Sequence, residues 1–422
     1  MTFDIFLSIC QTEVDGYTPT ERQMFSNFYS QAELADALGF GTAWVAETHL
    51  SCQVQKKNPE GVIPHFRGEI GLNTDILQTA HTLMNRTRHI HVGSAIRNIL
   101  CNGGPIAHAE AVRTFLSLQS QQSYADRVLQ LGFAAGRFPF SNIPYGIRPR
   151  NSFESSIWEI LKGEIFTQGA EIFLRFLKGE SFSSNAVGPL HLSAELFKNW
   201  REVYDLAQVE LLSPSPAKND GVSGLQGPTL LEVDDRGLKI SSFFQFGEVG
   251  VIPFESSLEN LRLTIGSHDP KTQIRANEIL PVGVFNLSIT PPDVIEETHR
   301  RMEKHFHPAG GPWRRDLMPR TVLVFIDENP ARAKEAAEKA WRNYWVAMEK
   351  TLDPRKVSTA VTNAIAGHPE EVAEAIATKY HSEDRLMLWF DFNNHDNTAV
   401  QNEMKLFMNK VAPLLPGGKS WE

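Results

Sequence analysis

The chain has 422 residues, of which 41% are hydrophobic and 22% charged, and this composition excludes disordered and fibrous proteins. A net charge of -9 without any Lys/Arg-rich run argues against nucleic-acid binding, and no apolar stretch approaches the ~20 residues of a membrane helix. Three cysteines without zinc-site spacing, and an N-terminus without a basic region, predict a cytoplasmic protein that has free thiols, no metal site and no signal peptide.

Short apolar runs alternate with longer amphipathic stretches along the chain. Continuous apolar runs are typical of strands buried on both faces, and helical spacing marks most of the stretches between them. Eight strands are predicted, each followed by a helix, and this count favours a single-domain α/β fold, a closed (β/α)8 TIM barrel, over a doubly wound open sheet. The predicted strands are Phe3–Ser8, Thr42–Ala46, His91–Ile96, Val128–Ala134, Leu261–Gly266, Val282–Leu287, Thr321–Ile326 and Leu386–Phe390.

The alternation is interrupted in the middle of the chain. Phe153–Leu177 predicts one long helical region, and residues 179–250 predict an inserted lobe of strands and loops with a Gly/Ser/Pro-rich patch at Ser213–Gly227. A second insertion is predicted at about residues 51–72. We interpret both as insertions into one domain of residues 1–422, and as candidate lids.

Polar residues follow the second predicted strand. Because the active sites of parallel barrels form at the carboxyl ends of the strands, Glu47, Thr48 and His49 are candidate catalytic residues for proton transfer or cofactor contact. An ion pair or a polar turn is the alternative interpretation.

Small residues end the third predicted strand. Ser94, Ala95 and Ile96 would let a flat ring approach the backbone closely, although tight core packing explains them equally well.

Two further loops could bind phosphate. After the fourth strand, Ala135, Gly136 and Arg137 offer backbone donors and one cation, although Arg137 could equally be an ordinary surface arginine.

The fifth strand is followed by Ser267, His268 and Lys271 at a predicted helix N-terminus, which is a ready anion site. A plain N-cap by Ser267 or Asp269 is the alternative. The polar run Asp391–Asp396 after the eighth strand is interpreted as a solvated turn rather than as part of the site.

Three segments resemble the bacterial-luciferase-like flavin family. Ala35–His49 is similar to its motif in which a helix ends in Gly-Phe, a strand carries Trp and Glu-His-His follows; Val92–Ile96 is similar to its third strand; and Ile365–Val372 is similar to its late Pro-Glu-Glu-Val helix start. The resemblance implies a flavin-binding barrel, usually a homodimer, that uses FMN or the deazaflavin F420.

The resemblance also implies roles for single residues. Ala95-Ile96 falls where the family often has a non-prolyl cis peptide beneath the flavin ring. Ser267, His268 and Lys271 fall on its phosphate-binding loop, and Gly136 and Arg137 fall on the loop after strand four. The chain departs from the family where Thr48 replaces the first His of Glu-His-His, and where Ala135 stands in place of an Arg.

We therefore expect a two-component monooxygenase that uses reduced FMN and O₂ on a small organic substrate. No GxGxxG follows a strand, so a separate flavin reductase would supply the reduced FMN. An F420-dependent dehydrogenase or reductase on the same fold, and a non-catalytic flavin-binding relative, are the alternatives.

Overall fold

The computed structural model describes residues 1–58, 61–63, 65–215, 229–349 and 353–416. Most of the predicted Ser213–Gly227 patch lies outside the described residues. The strands are β1 Thr2–Leu7, β2 Thr42–Val45, β3 His91–Asn98, β4 Leu129–Ala134, β5 Leu190–Ser193, β6 Leu230–Asp234, β7 Gly237–Ile240, β8 Leu261–Ile265, β9 Val282–Val284, β10 Arg320–Ile326, β11 Ile365–Gly367 and β12 Arg385–Trp389. The α-helices are α1 Glu21–Leu38, α2 Cys52–Gln55, α3 Ile76–Arg86, α4 Gly104–Gln119, α5 Ser152–Ser156, α6 Trp158–Lys178, α7 Trp200–Leu212, α8 Pro270–Asn277, α9 Pro292–His305, α10 Pro330–Met348, α11 Pro354–Asn363, α12 Pro369–Lys379 and α13 Asn397–Leu406.

The chain divides into two compact units. The first comprises Met1–Arg97, Leu116–Phe133 and Ser257–Glu422, and the second comprises Asn98–Phe115 and Ala134–Ser256.

The first unit is built on a curled parallel sheet. In the described part of the chain this sheet has nine strands in the order β11-β10-β12-β1-β2-β3-β4-β8-β9. Its strands are almost wholly buried, as expected for a parallel sheet covered on both faces. Parallel pairing, with Ile5 opposite Ala43 and Leu388, brings the carboxyl ends of neighbouring strands to one edge.

All eight predicted strands are present, and each observed boundary lies within three residues of the predicted one. The ninth strand, β11, was missed because its three residues are too few to show a pattern. An isolated parallel bridge joins Asn286, two residues after β9, to Arg320 at the start of β10. This contact is a bridge rather than a strand ladder, so the described sheet is a curled sheet and not a fully paired barrel.

Aromatic side chains pack against one another on the inner face of this curled sheet. Phe6, Trp44, Phe285 and Met387 form a buried cluster, against which Ala95, Ile96 and Trp389 pack. The Phe6 and Trp389 rings lie 4.5 Å apart. Since side chains alternate along a strand, the same strands present their other face to the surrounding helices.

The second unit contains the predicted inserted lobe. Its strands form a separate antiparallel sheet in the order β5-β7-β6. The expectation of strands and loops alone was wrong, because the lobe also contains the 13-residue helix α7. The predicted long helix is interrupted at Ile157, which separates α5 from α6.

Among the described residues, no helix combines the length and the apolar character that crossing a membrane requires.

Candidate active site at the strand ends

A buried ion pair joins the ends of β2 and β3. Arg97 donates a 3.0 Å hydrogen bond to Glu47 Oε1, and their side chains are 3% and 0% exposed. The Ser94 hydroxyl donates to Glu47 Oε2 at 3.3 Å. Arg97 also contacts Asp75, which caps the N-terminus of α3. The alternative interpretation of an ion pair at Glu47 is therefore observed. Both charges of this pair are buried away from water.

His49 lies beside this pair. Its Nε2 is 3.3 Å from Glu47 Oε1, and the side chain is only 8% exposed. The Nε2 atom is buried and makes no hydrogen bond. A buried polar atom without a partner is uncommon and calls for an explanation such as a ligand, a water or a catalytic role.

The Thr48 side chain contacts the 51–72 insertion. Its hydroxyl donates to the Gly71 carbonyl at 2.9 Å, and its amide donates to the Asn73 carbonyl. The same insertion is anchored where Glu69 accepts hydrogen bonds from Ser51 and from the Cys52 amide. Thr48 thus fixes a loop in the structure, and its predicted catalytic role stays a prediction. Pro59, Glu60 and Pro64 of this insertion lie outside the described residues.

The end of β3 carries the expected backbone feature. The Ala95-Ile96 peptide bond is cis, as the resemblance implied. Ser94 is fully buried, and Ala95 and Ile96 pack against the aromatic cluster inside the sheet.

Other buried polar atoms at the same edge lack partners. They are Thr264 Oγ1 near the end of β8, Asn286 Oδ1 after β9, Trp389 Nε1 at the end of β12 and Asp391 Oδ1 just beyond it. Further orphaned atoms occur elsewhere in the described residues, but these four join His49 Nε2 along one edge of one sheet. Such a set matches the needs of a polar ligand bound over the strand ends.

The backbone is unusual at the same strand ends. Ile9 after β1, Leu50 after β2 and Asn393 after β12 have positive φ angles of 45°, 63° and 48°. A β-branched residue such as Ile9 strongly disfavours this region, and such residues concentrate at functional sites.

The run after β12 is not the solvated turn that we expected at Asp391. The Ser8 amide and hydroxyl both donate to Asp391 Oδ2, at 3.2 and 2.9 Å. Burial raises the pKa of Asp391 to about 6, against the lowering effect of the Ser8 hydrogen bonds and the Trp389 indole. The expectation was wrong because Ser8, 383 residues away in sequence, provides donors that only the fold brings to this carboxylate.

The loop after β8 has the predicted helix N-terminus. Asp269 caps α8 by accepting from the Thr272 amide at 2.7 Å, and Pro270 occupies the first turn. The Ser267 hydroxyl accepts from the Asp269 amide. His268 is exposed at the surface, but neighbouring protein atoms still desolvate its ring; this and the Arg301 cation lower its pKa. The cap predicted as the alternative is therefore present, together with nearby cationic groups.

The loop after β4 lies in the second unit. Gly136 has a φ of 77°, and a Cβ there would lie 2.2 Å from the Asn98 amide nitrogen. Asn142 donates to the Ala135 carbonyl at 2.8 Å and thereby fixes the loop. Arg137 is exposed, with its guanidinium 5.4 Å from the Phe138 ring centre.

Sequence reasoning missed the roles of Arg97, Asp75 and Asp391. Arg97 offered a usable signal, because a lone arginine directly after an apolar strand is expensive to bury without a carboxylate partner. Nothing in the local sequence indicated that Asp75 would contact Arg97, or that Asp391 would accept hydrogen bonds from Ser8. No group of three or more metal-ligating side chains occurs among the residues that the structure describes.

Comparison with known proteins relates the first part of the chain to a family. Residues 1–151 match the family model described as luciferase-like monooxygenase. Comparison with curated proteins gave no match.

Solved structures share the fold along nearly the whole chain. The monooxygenase RslO1 from Streptomyces bottropensis is 17% identical with a TM-score of 0.62, covering 98% of this chain and 99% of that chain. The oxygenating constituent of 3,6-diketocamphane monooxygenase from Pseudomonas putida, a type II Baeyer-Villiger monooxygenase in complex with FMN, is 13% identical with a TM-score of 0.56 over 98% of each chain. An F420-dependent secondary alcohol dehydrogenase in complex with an F420-acetone adduct is 12% identical with a TM-score of 0.52 over 98% of each chain.

At these identities the solved structures establish the fold alone, and the family match rests on residues 1–151. The match confirms the resemblance found in the sequence and the expectation of an enzyme: residues 1–151 match the model of the luciferase-like monooxygenases, which are oxidoreductases.

Proposed function

We propose that the protein is a two-component flavin-dependent monooxygenase, in which a separate reductase supplies reduced FMN and a small organic substrate is oxygenated with O₂. One observation carries the proposal: buried His49 Nε2 has no hydrogen-bond partner and lies 3.3 Å from a Glu47 carboxylate that Arg97 holds in place.

Burial gives this arrangement its chemical use. Removing Glu47 and Arg97 from water costs several kcal/mol per ion, and a well-packed apolar pair would stabilise the fold as well or better. Arg97 balances the charge of Glu47. His49 Nε2 faces the Glu47 carboxylate without a hydrogen bond and is available to hold or transfer a proton at a substrate.

The strand-end residues fit a flavin. The orphaned Thr264 Oγ1 and Asn286 Oδ1 offer two acceptors to a flat polar ring, and Ser94-Ala95-Ile96 would lie beneath it. Bound reduced FMN would supply the reaction with O₂. The chain would bind and orient the ring, exclude water and provide the proton at His49.

The phosphate would be held by the loop after β8, through Ser267, His268 and Lys271. The nearby Arg301, whose charge lowers the pKa of His268, supports an anion site there. The capping carboxylate of Asp269 works against it, because it already uses one of the helix donors. The cofactor-binding roles of Ala135, Gly136 and Arg137 after β4 stay predictions.

Four structural expectations belong to the same proposal. The bridge between Asn286 and Arg320 supports closure of the sheet into a (β/α)8 barrel. The single domain and the homodimer stay predictions, as do the lid roles of the two insertions.

An anaerobic titration with reduced FMN tests the proposal, followed by admission of O₂ with a panel of small ketones and aromatic compounds. We expect binding and product formation by the wild type. His49→Gln should keep the binding within a few-fold but lose about 10²-fold or more in turnover, the usual contribution of a general acid or base. The exposed His89 provides a matched control, since His89→Gln should leave both unchanged.

Failure to bind FMN in either redox state would exclude the proposal. Binding of F420 with hydride transfer would replace it by the dehydrogenase alternative. FMN binding with no turnover in the wild type, for any compound of the panel, would indicate a flavin-binding relative without this activity.

A further inference from the structure

A second buried carboxylate lies at the ends of β12 and β1. Asp391 Oδ2 accepts two hydrogen bonds from Ser8, whereas Oδ1 is buried and accepts no hydrogen bond of ordinary geometry. The Trp389 indole faces the carboxylate closely enough to lower its pKa. A carboxylate oxygen held out of water without a donor is costly, unless it is protonated or a water molecule reaches it.

A small cavity opens beside this carboxylate. Asp391 and Asn394 line it from the segment after β12, and Asn27 and Gln31 line it from α1. It has room for about one water molecule, and a water needs two to four polar partners to be stable in such a place. The amide side chains and the orphaned Oδ1 meet this requirement. The apolar remainder of the wall consists of Leu7, Ile9, Met24 and Phe28.

We propose that this cavity binds a single water molecule, and that Asp391 and the water together form a proton-holding site at the carboxyl ends of β12 and β1. The Asp391 carboxyl carries the proton when it is neutral, and the proton leaves through the cavity water to the solvent when the carboxyl ionises. No oxidant or further reactant takes part.

The surroundings of Asp391 bring the pKa of its carboxyl close to neutral pH. Burial raises the pKa of Asp391 to about 6, and the Ser8 hydrogen bonds and the Trp389 indole limit the rise. From the segment after β1 the facing titratable group is Cys10, and burial raises the pKa of its thiol to about 11, so it stays neutral. From α1 and from the segment after β12 the facing cavity groups are the uncharged amides Asn27, Gln31 and Asn394.

The position of this site gives it a use. β12 pairs with β1 and β1 pairs with β2, so Asp391, Ser8 and Glu47 follow three neighbouring strands. A group that gains and loses a proton near neutral pH is suited to supply protons at this edge. This use in turnover rests on the proposed function, whereas the water and the titration do not.

Infrared titration of the purified protein tests the carboxyl. We expect the C=O band of a protonated buried carboxyl to disappear with a midpoint near pH 6. The band should be absent from Asp391→Asn. In Ser8→Ala the midpoint should move upward, because a hydrogen bond that favours the ionised form is lost. Glu403→Gln is the matched control, since burial also raises the pKa of Glu403 and its band must be assigned separately.

Crystallography at high resolution tests the water, which should lie within hydrogen-bonding distance of Asp391 Oδ1 and of at least one lining amide. A dry cavity, or titration of Asp391 near its ordinary value of 3.8, would overturn the proposal. The pH profile of turnover tests the use of Asp391 in turnover separately from its titration. A profile that Ser8→Ala moves as it moves the infrared midpoint supports the role in turnover, and an unmoved profile excludes it. Failure to bind FMN would exclude the proposed function and leave the infrared result standing.

Discussion

The loops after β2 and after β8 look alike in sequence but differ physically in the structure. Both place a carboxylate, a histidine and small polar residues directly after an apolar strand. After β2, Glu47 is 0% exposed and Arg97 3% exposed. After β8, His268, Asp269 and Lys271 are exposed, and Asp269 caps α8.

This difference decides what each loop can contribute. Charges screened by water interact weakly, while a buried pair interacts strongly and is sensitive to the loss of either member. The loop after β2 is therefore suited to chemistry, and the loop after β8 is suited at most to holding an anion. Polar residues after a strand predict a site only when the fold also removes them from solvent.

The largest expected effect is on the buried pair. Arg97→Met removes the cation, leaves Glu47 buried without its partner, and should lower the free energy of unfolding by about 3–5 kcal/mol, measured by urea denaturation. Lys271→Met in the exposed loop should change it by less than ~0.5 kcal/mol. Equal losses in the two variants would show that the loops do not differ as described. Adding Glu47→Gln to Arg97→Met should recover part of the loss.

A somewhat smaller effect concerns the pH dependence of stability. Because the pKa of Asp391 is about 6 in the folded protein and its ordinary value is 3.8, the folded state holds this proton over a range in which the unfolded state has lost it. The stabilising contribution of the raised pKa is thus full below pH 4 and is lost as the pH rises through 6.

Asp391→Asn has no such titration and keeps an oxygen that can accept from Ser8. Its free energy of unfolding relative to the wild type should therefore increase by about 3 kcal/mol between pH 4 and pH 7, at ~1.4 kcal/mol per pKa unit. Denaturation curves at both pH values measure this. A difference that is the same at both would mean that Asp391 titrates normally.

The smallest expected effect tests the loop after β8. Asp269→Asn removes a negative charge but keeps a good N-cap residue, so stability should change by less than ~0.5 kcal/mol. If this loop holds the flavin phosphate, the affinity for FMN should rise a few-fold, about 1 kcal/mol, because the helix N-terminus and its cations no longer face a carboxylate. Isothermal calorimetry with FMN and with riboflavin checks this, since riboflavin lacks the phosphate and should show no gain. An unchanged FMN affinity would place the phosphate elsewhere.

Much of the first unit could be predicted from the sequence. The eight predicted strands were found because a strand buried on both faces must be apolar along its whole length, and that pattern is local. The cis peptide at Ala95-Ile96 was expected from the family resemblance. The helix α7 and the short strand β11 were missed, since a half-exposed helix and a three-residue strand leave weak patterns.

The sequence by itself determined the succession of strands and helices, the family of residues 1–151, and which polar residues follow each strand. Only the tertiary structure decided which of these polar residues are paired and buried. Glu47 meets Arg97 across 50 residues, and Asp391 meets Ser8 across 383. Periodicity reports which face a residue occupies along its own strand or helix. It does not report which distant side chain shares its low-dielectric surroundings, and those surroundings determine the charge and the reactivity of the group.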